Sequence, residues 1–112
     1  MIMPKPENVD FELIVTIISR GKCGTVLDAS KDAGAEGGTI IKGRGSGVHE
    51  KAKIFSFTIE PEKDIVLTLV PANRTEKVLE SIIKAAKLNE PGHGIAFVLD
   101  VEKVTGINHL IE

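Results

Sequence analysis

Three short runs in this chain are apolar at almost every position: FELIVTII (11–18), DIVLTLV (64–70) and IAFVLDV (95–101). A strand with one wetted face alternates apolar and polar residues. A continuous β-branched run of seven or eight residues is the pattern of a strand buried on both faces. Each run is far too short to span a bilayer. The chain is therefore expected to build one sheet with FELIVTII near its centre, and that sheet needs cover on two faces.

The segments between these runs supply helices. Lys22 to Ala33 reads as a helix whose small apolar face is Val26, Leu27, Ala29, Ser30 and Ala33, with Lys31 and Asp32 outside. Gly34 follows as the stop, where positive φ is usual. After Pro71, Asn73 or Thr75 can cap a second helix running to about Leu88. Val78, Leu79, Ile82, Ile83 and Ala86 repeat at helical spacing, and Glu80 with Lys84 makes a favourable i, i+4 pair. Cys23, the only cysteine, lies at the start of the first helix. A helix N-terminus can lower a thiol pKa, but a small packing residue is the expected role.

Between the first helix and DIVLTLV lies GGTIIKGRGSG, residues 37–47. Glu36 to Lys42 reads as a strand, because Thr39, Ile40 and Ile41 are β-branched. Gly43, Gly45 and Gly47 then alternate with Lys42, Arg44 and Ser46. Convergent backbone N–H groups beside cationic side chains suit a phosphate or another anion. Val48 to Phe57 is a long connection, with a charged first half and Ile54, Phe55 and Phe57 in the second. Pro61 suits a turn or an edge. A second turn-rich segment, NEPGHG (89–94), precedes the last strand. It follows a helix C-terminus, whose dipole does not favour an anion, so a phosphate there needs the N–H groups of the turn.

The order β-α-β, long loop, β-α-β predicts an α+β, ferredoxin-like split β-α-β fold (βαββαβ), with a long loop between strands 2 and 3. One domain over 1–112 is expected, with 1–9 as a loose N-terminal tail and Ile107–Ile111 as a short apolar tail. Two helices cover only one face of a four-stranded sheet. The second face must be buried elsewhere, and self-association with the sheets inward is the simplest answer.

Composition narrows the function. The formal net charge is −2 and aromatics are 4 %, with no Trp or Tyr, so neither nucleic acid nor an acidic membrane is an expected partner. The opening MIMPKPENVD lacks the apolar core of a signal peptide, and a cytoplasmic protein without membrane insertion is expected. His49, His93 and His109 lack metal-ligand spacing, and no metal site is expected. No nucleophile, base and orienter assemble from the sequence, so no catalytic residues and no enzyme are expected.

Taken in order, the motifs resemble the PII nitrogen-regulatory signalling proteins, and more closely their divergent PII-like relatives, over about residues 11–107. FELIVTII is similar to the family's first strand. Gly34, Gly37 and Thr39 look like the turn and strand after its first helix. RGSG (44–47), or KGRG (42–45), looks like the KGxG lead into its long signalling T-loop. IVLTLVP (65–71) and SIIKAAK (81–87) are similar to its third strand and second helix. PGHG (91–94) stands where the family has its GDG phosphate loop, the B-loop, and IAFVLDVEKV (95–104) looks like IFVLPVEEV.

The resemblance implies a homotrimer with adenine nucleotide (ADP, AMP or ATP) in each intersubunit cleft and no covalent cofactor. It implies nucleotide-binding positions at Gly37, Thr39, Gly45, Ser46, Gly47, Gly92, His93 and Gly94. It also implies a partner loop, including Val48, His49, Glu50, Lys51, Lys53 and Phe55, that docks on a target enzyme or membrane transporter in nitrogen utilisation. The chain departs from the pattern too. The T-loop tyrosine has no counterpart. The glutamine that helps hold magnesium and 2-oxoglutarate falls at His49 or Gly47. The basic residue after the B-loop is Ile95, and two C-terminal arginines fall near Gly106 and Asn108. With these cations lost, a less charged nucleotide than ATP, or a different ligand, is expected. The alternative class is a metal-ion-binding ferredoxin-like trimer resembling the divalent-cation tolerance proteins.

Overall fold

The computed structural model describes residues 10–47, 52–54 and 57–107. The expected tail at 1–9, the end of the apolar tail from 108, and Val48, His49, Glu50, Lys51 and Phe55 lie outside the described residues. The elements run β1 (Phe11–Ser19), α1 (Cys23–Asp32), β2 (Thr39–Arg44), β3 (Ala52–Ile54), β4 (Phe57–Ile59), β5 (Glu62–Pro71), α2 (Thr75–Ala86) and β6 (Gly94–Val101), with a 3-10 turn at Ala72–Arg74 before α2.

β2, β5, β1 and β6 form one antiparallel sheet in that order, so FELIVTII is central. This is the ferredoxin-like plan. The expected long loop carries an addition, a two-stranded antiparallel hairpin of β3 and β4 that the charged and apolar halves of the segment did not resolve into strands. Boundaries also move, and β2 begins at Thr39 rather than Glu36. β2 continues through Gly43 and Arg44, which pair with Lys63 and Glu62, and β5 correspondingly begins at Glu62. Gly43 was expected in a loop, but pairing along β5 holds it extended.

One face of the sheet packs on both helices. Ile14, Ile18, Val66 and Val70 from the strands meet Val26, Val78 and Ile82 from the helices, all essentially without solvent exposure. Full burial of side chains of this size is worth roughly 1.5–3 kcal/mol each. The helices approach closely because small residues line their contact. Ser81 Oγ donates to Ala29 O at 2.9 Å, and Ser30 Oγ donates to Val26 O at 2.5 Å. Gly34 ends α1 at φ +109°, as expected, with its N–H on Lys31 O. Neither Asn73 nor Thr75 caps α2 through its side chain, and the helix ends at Ala86, with Lys87 left-handed at φ +56°.

No helix among the described residues covers the other face. Register sets Ile41, Ile65, Ile17 and Ile95 in one row across it, and Thr39, Leu67, Val15 and Phe97 in the next. Ile41, Ile95, Phe97 and Leu99 are each more than 40 % exposed. This is the second face that the uninterrupted apolar runs required.

Candidate functional site

The two glycine-bearing segments differ in what holds them. Gly94 opens β6 at φ +137°, and a Cβ there would lie 2.4 Å from Ile17 O. Only glycine fits, because the turn must bring β6 flush against the end of β1. Gly92 also has positive φ, +82°. Gly92 and His93 are exposed beside a hollow of ≈ 310 Å³ that Ile18, Lys22, Thr25 and Lys87 also line.

The β2 segment is held by charge. Lys42 and Arg44 share the helix-side face of the edge strand and meet the carboxylates of β5. Lys42 Nζ lies 2.6 Å from Asp64 Oδ1, and Arg44 Nη2 lies 3.3 Å from Glu62 Oε1. Arg20, in the turn after β1, reaches the other oxygen of Glu62 at 2.5 Å. These cations are thus partnered side chains rather than open ligands. The backbone tells the same story. Gly43 is in the ladder, and Gly45 N donates to Pro61 O at 3.1 Å, which leaves less of an N–H cradle than the glycine spacing suggested. Gly37 and Gly45 differ from Gly94 in another respect. A Cβ at either would meet nothing within 4 Å, so nothing in the described residues demands glycine there.

Asp64 is the residue that sequence reasoning missed. Its side chain is wholly buried, yet it is charged. Lys42 holds its carboxyl well below the usual carboxylate range, at about 2, against the opposing cost of burial. The Cys23 thiol and the N–H groups of Gly21 and Cys23 add to this. Those two N–H groups lie 2.9 and 3.2 Å from Oδ2, at the start of α1. A helix start leaves such donors unpaired. Here a strand residue more than forty positions away satisfies them. The signal was present in DIVLTLV, where Asp64 is in phase with Val66, Thr68 and Val70, the helix-side positions.

Of the expected nucleotide-binding residues, Gly37, Thr39, Gly45, Ser46 and Gly47 sit on or beside β2, while Gly92, His93 and Gly94 sit at the start of β6. These strands are the two edges of the sheet, three inter-strand steps or roughly 14 Å apart. Within one chain the two groups do not meet. Gly45, Ser46 and Gly47 do share one end of the sheet with Gly92–Gly94, since Arg44 pairs with Glu62, Lys63 with Ser19, and Ile18 with Gly94, whereas Thr39, opposite Leu67, stands at mid-sheet. Of the expected partner loop, Lys53 lies on β3, opposite Thr58. Among the described residues, no three His, Cys, Asp or Glu side chains cluster as metal ligands. No helix among them is long and apolar enough to cross a membrane.

Comparison with known proteins agrees with this architecture. The family model "Nitrogen regulatory protein P-II" matches residues 11–109. A nitrogen regulatory protein P-II of Pyropia yezoensis is 33 % identical over 99 residues, covering 84 % of this chain and 88 % of that protein. The crystal structure of Arabidopsis thaliana PII bound to citrate superposes with a TM-score of 0.69 at 25 % identity, over 90 % of this chain and 86 % of that one. The chain belongs to the P-II nitrogen regulatory protein family, whose members are regulators rather than enzymes.

Proposed function

We propose that this chain is a cytoplasmic, non-enzymatic sensor that binds an adenine nucleotide or a similar small effector in clefts between copies of itself. Effector occupancy then sets how the segment 45–57 docks on a partner enzyme or transporter in nitrogen utilisation. One observation carries the reading. Gly45–Gly47 and Gly92–Gly94 sit at the same end of the sheet but on opposite edges, so a neighbouring copy is needed to bring one against the other. The uncovered apolar face supports such an assembly, and a homotrimer with the sheets inward is the form the family reading favours.

In this arrangement Gly37, Thr39, Gly45, Ser46 and Gly47 line one wall of the cleft, and Gly92, His93 and Gly94 of the next copy line the other. The open space around Gly37 and Gly45 supports a close approach of ligand or neighbour at those positions. Ile95 and the absence of basic residues at Gly106 and Asn108 weaken the grip on a triphosphate. Each lost charge-assisted contact is worth on the order of 1.5–3 kcal/mol. ADP or AMP is therefore the expected preference over ATP.

The experiment is calorimetric titration with ATP, ADP, AMP and citrate, the last because the Arabidopsis relative was solved with it bound. Molar mass by light scattering is measured on the same samples. The expected result is a trimer that binds ADP or AMP more tightly than ATP. ATP binding equally well would remove the preference, and a monomer that binds nucleotide would remove the shared cleft.

A further inference from the structure

The hollow of ≈ 310 Å³ beside the turn before β6 differs in charge from the other hollows. Ser19, Lys22, Thr25, Lys87, Gly92 and His93 line it, and no carboxylate does. The hollows along the seam between α1 and α2 are bordered by Asp32, and the one beside β2 by Glu62. Its lysines also differ from the cations of β2. Lys42 and Arg44 are committed to Asp64 and Glu62, whereas Lys22 and Lys87 enter no ion pair among the described residues. Lys87 is placed there at a backbone cost. It follows α2 in the left-handed conformation, at φ +56°, and is the one non-glycine residue with positive φ among those described. The Leu88 N–H closes on Ile83 O at 3.0 Å, the helix-ending geometry in which glycine is usual. A Cβ disfavours this conformation, and backbone strain of this kind clusters at ligand sites.

We infer that Lys22 and Lys87 hold the phosphate end of the effector in this hollow and so determine which effectors bind. The inference rests on the proposed function, which puts Gly92 and His93 on one wall of the cleft. The hollow lies at the lower end of the roughly 300–1,000 Å³ of small-molecule sites. It therefore takes one end of a nucleotide and leaves the nucleoside outside. Around the anion stand two ammonium groups, the hydroxyls of Ser19 and Thr25, and the imidazole of His93 as a further N–H donor. No residue of β2 or of 45–47 lines the hollow. The charge that grips the phosphate thus comes from one chain, while the 45–47 segment of the neighbouring copy meets the rest of the ligand. A ligand without an anionic end gains nothing from either lysine.

The test compares the wild-type chain, Lys87→Gly and the double variant Lys22→Gln/Lys87→Gly. Calorimetry measures ADP and adenosine, and NMR shifts of backbone amides follow inorganic pyrophosphate. Glycine adopts the left-handed conformation freely, so the urea midpoint of Lys87→Gly should match or exceed that of the wild type. Its ADP affinity should still fall about tenfold, and that of the double variant about a hundredfold, for one and two lost charge-assisted contacts. Adenosine, which carries no phosphate, should bind all three alike. Pyrophosphate should shift residues 22, 25, 87, 92 and 93 of the wild type, less so as salt rises, and should not shift them in the double variant. Unchanged ADP affinity in the double variant would overturn the inference and leave the shared cleft standing. An equal fall for adenosine would also overturn it, because the lysines would then act on the cleft and not on the phosphate. Pyrophosphate shifts without ADP binding would keep the lysines as an anion site and remove the nucleotide reading. Absence of both would overturn the two together.

Discussion

The start of β6 and the end of β2 were both legible as glycine-rich turns, but they are built on different principles. At β6, backbone geometry dictates glycine, since Gly94 has positive φ and a carbonyl fills the space of its Cβ. Just past β2, glycine is optional for the fold at Gly45, where a Cβ would meet nothing within 4 Å, and the strand end is held by ion pairs to β5. The lesson is that the same residue type at similar spacing can report steric necessity in one place and open space in another. Only the second leaves room for a ligand or a neighbouring chain as the reason for the glycine.

Gly94→Ala is the strongest way to test that contrast. Left-handed strain and the clash with Ile17 O together should destabilise the fold by about 3–5 kcal/mol, read as a drop in the urea midpoint. A loss below 1 kcal/mol would mean that the turn relaxes and the contrast is false. Next is Asp64→Ala, which strands two N–H groups at the start of α1 and removes the partner of Lys42. A loss of about 2–3 kcal/mol is expected by the same measurement.

Acid sharpens the β2 side further. The folded-state pKa of Asp64 lies below its ordinary 3.8, at about 2. Its contribution to stability is therefore complete above the ordinary value and is lost as pH falls through about 2. The wild-type urea midpoint should fall between about pH 4 and pH 2 more steeply than that of Asp64→Asn. Equal slopes would assign the acid sensitivity to other carboxylates.

Smaller effects follow. Gly45→Ala, with open space around it, should change stability by less than about 0.5 kcal/mol. On the proposed reading it should still weaken nucleotide binding in a calorimetric titration. Arg44→Gln should leave the thermal midpoint almost unmoved, because its ion pair is largely exposed. A large shift there would make the β2 end a structural element rather than a hinge.

Much of the fold was legible because its signals are local. Runs apolar at almost every position marked β1, β5 and β6, and the 3.6-residue period marked α2. The unresolved parts depend on pairing at a distance. The β3–β4 hairpin lies in a segment whose composition suits several conformations. The extension of β2 through Gly43 and Arg44 depends on Glu62 and Lys63, about twenty residues away. For the candidate site, glycine spacing located both segments but not their separation, which is a property of strand order. Asp64, Glu62 and Arg20 were invisible as a group because they come from β5 and from the turn after β1.

The sequence by itself determined that a four-stranded sheet with two helices would carry a bare apolar face. Counting two helices against strands with no polar alternation is sufficient for that. Tertiary structure alone decided that the two glycine segments stand on opposite edges of one end, and that a buried carboxylate ties β2 to the start of α1. Burial of Asp64 is tolerated because one ammonium and two N–H groups converge on it from different elements. That convergence exists only once the chain has folded.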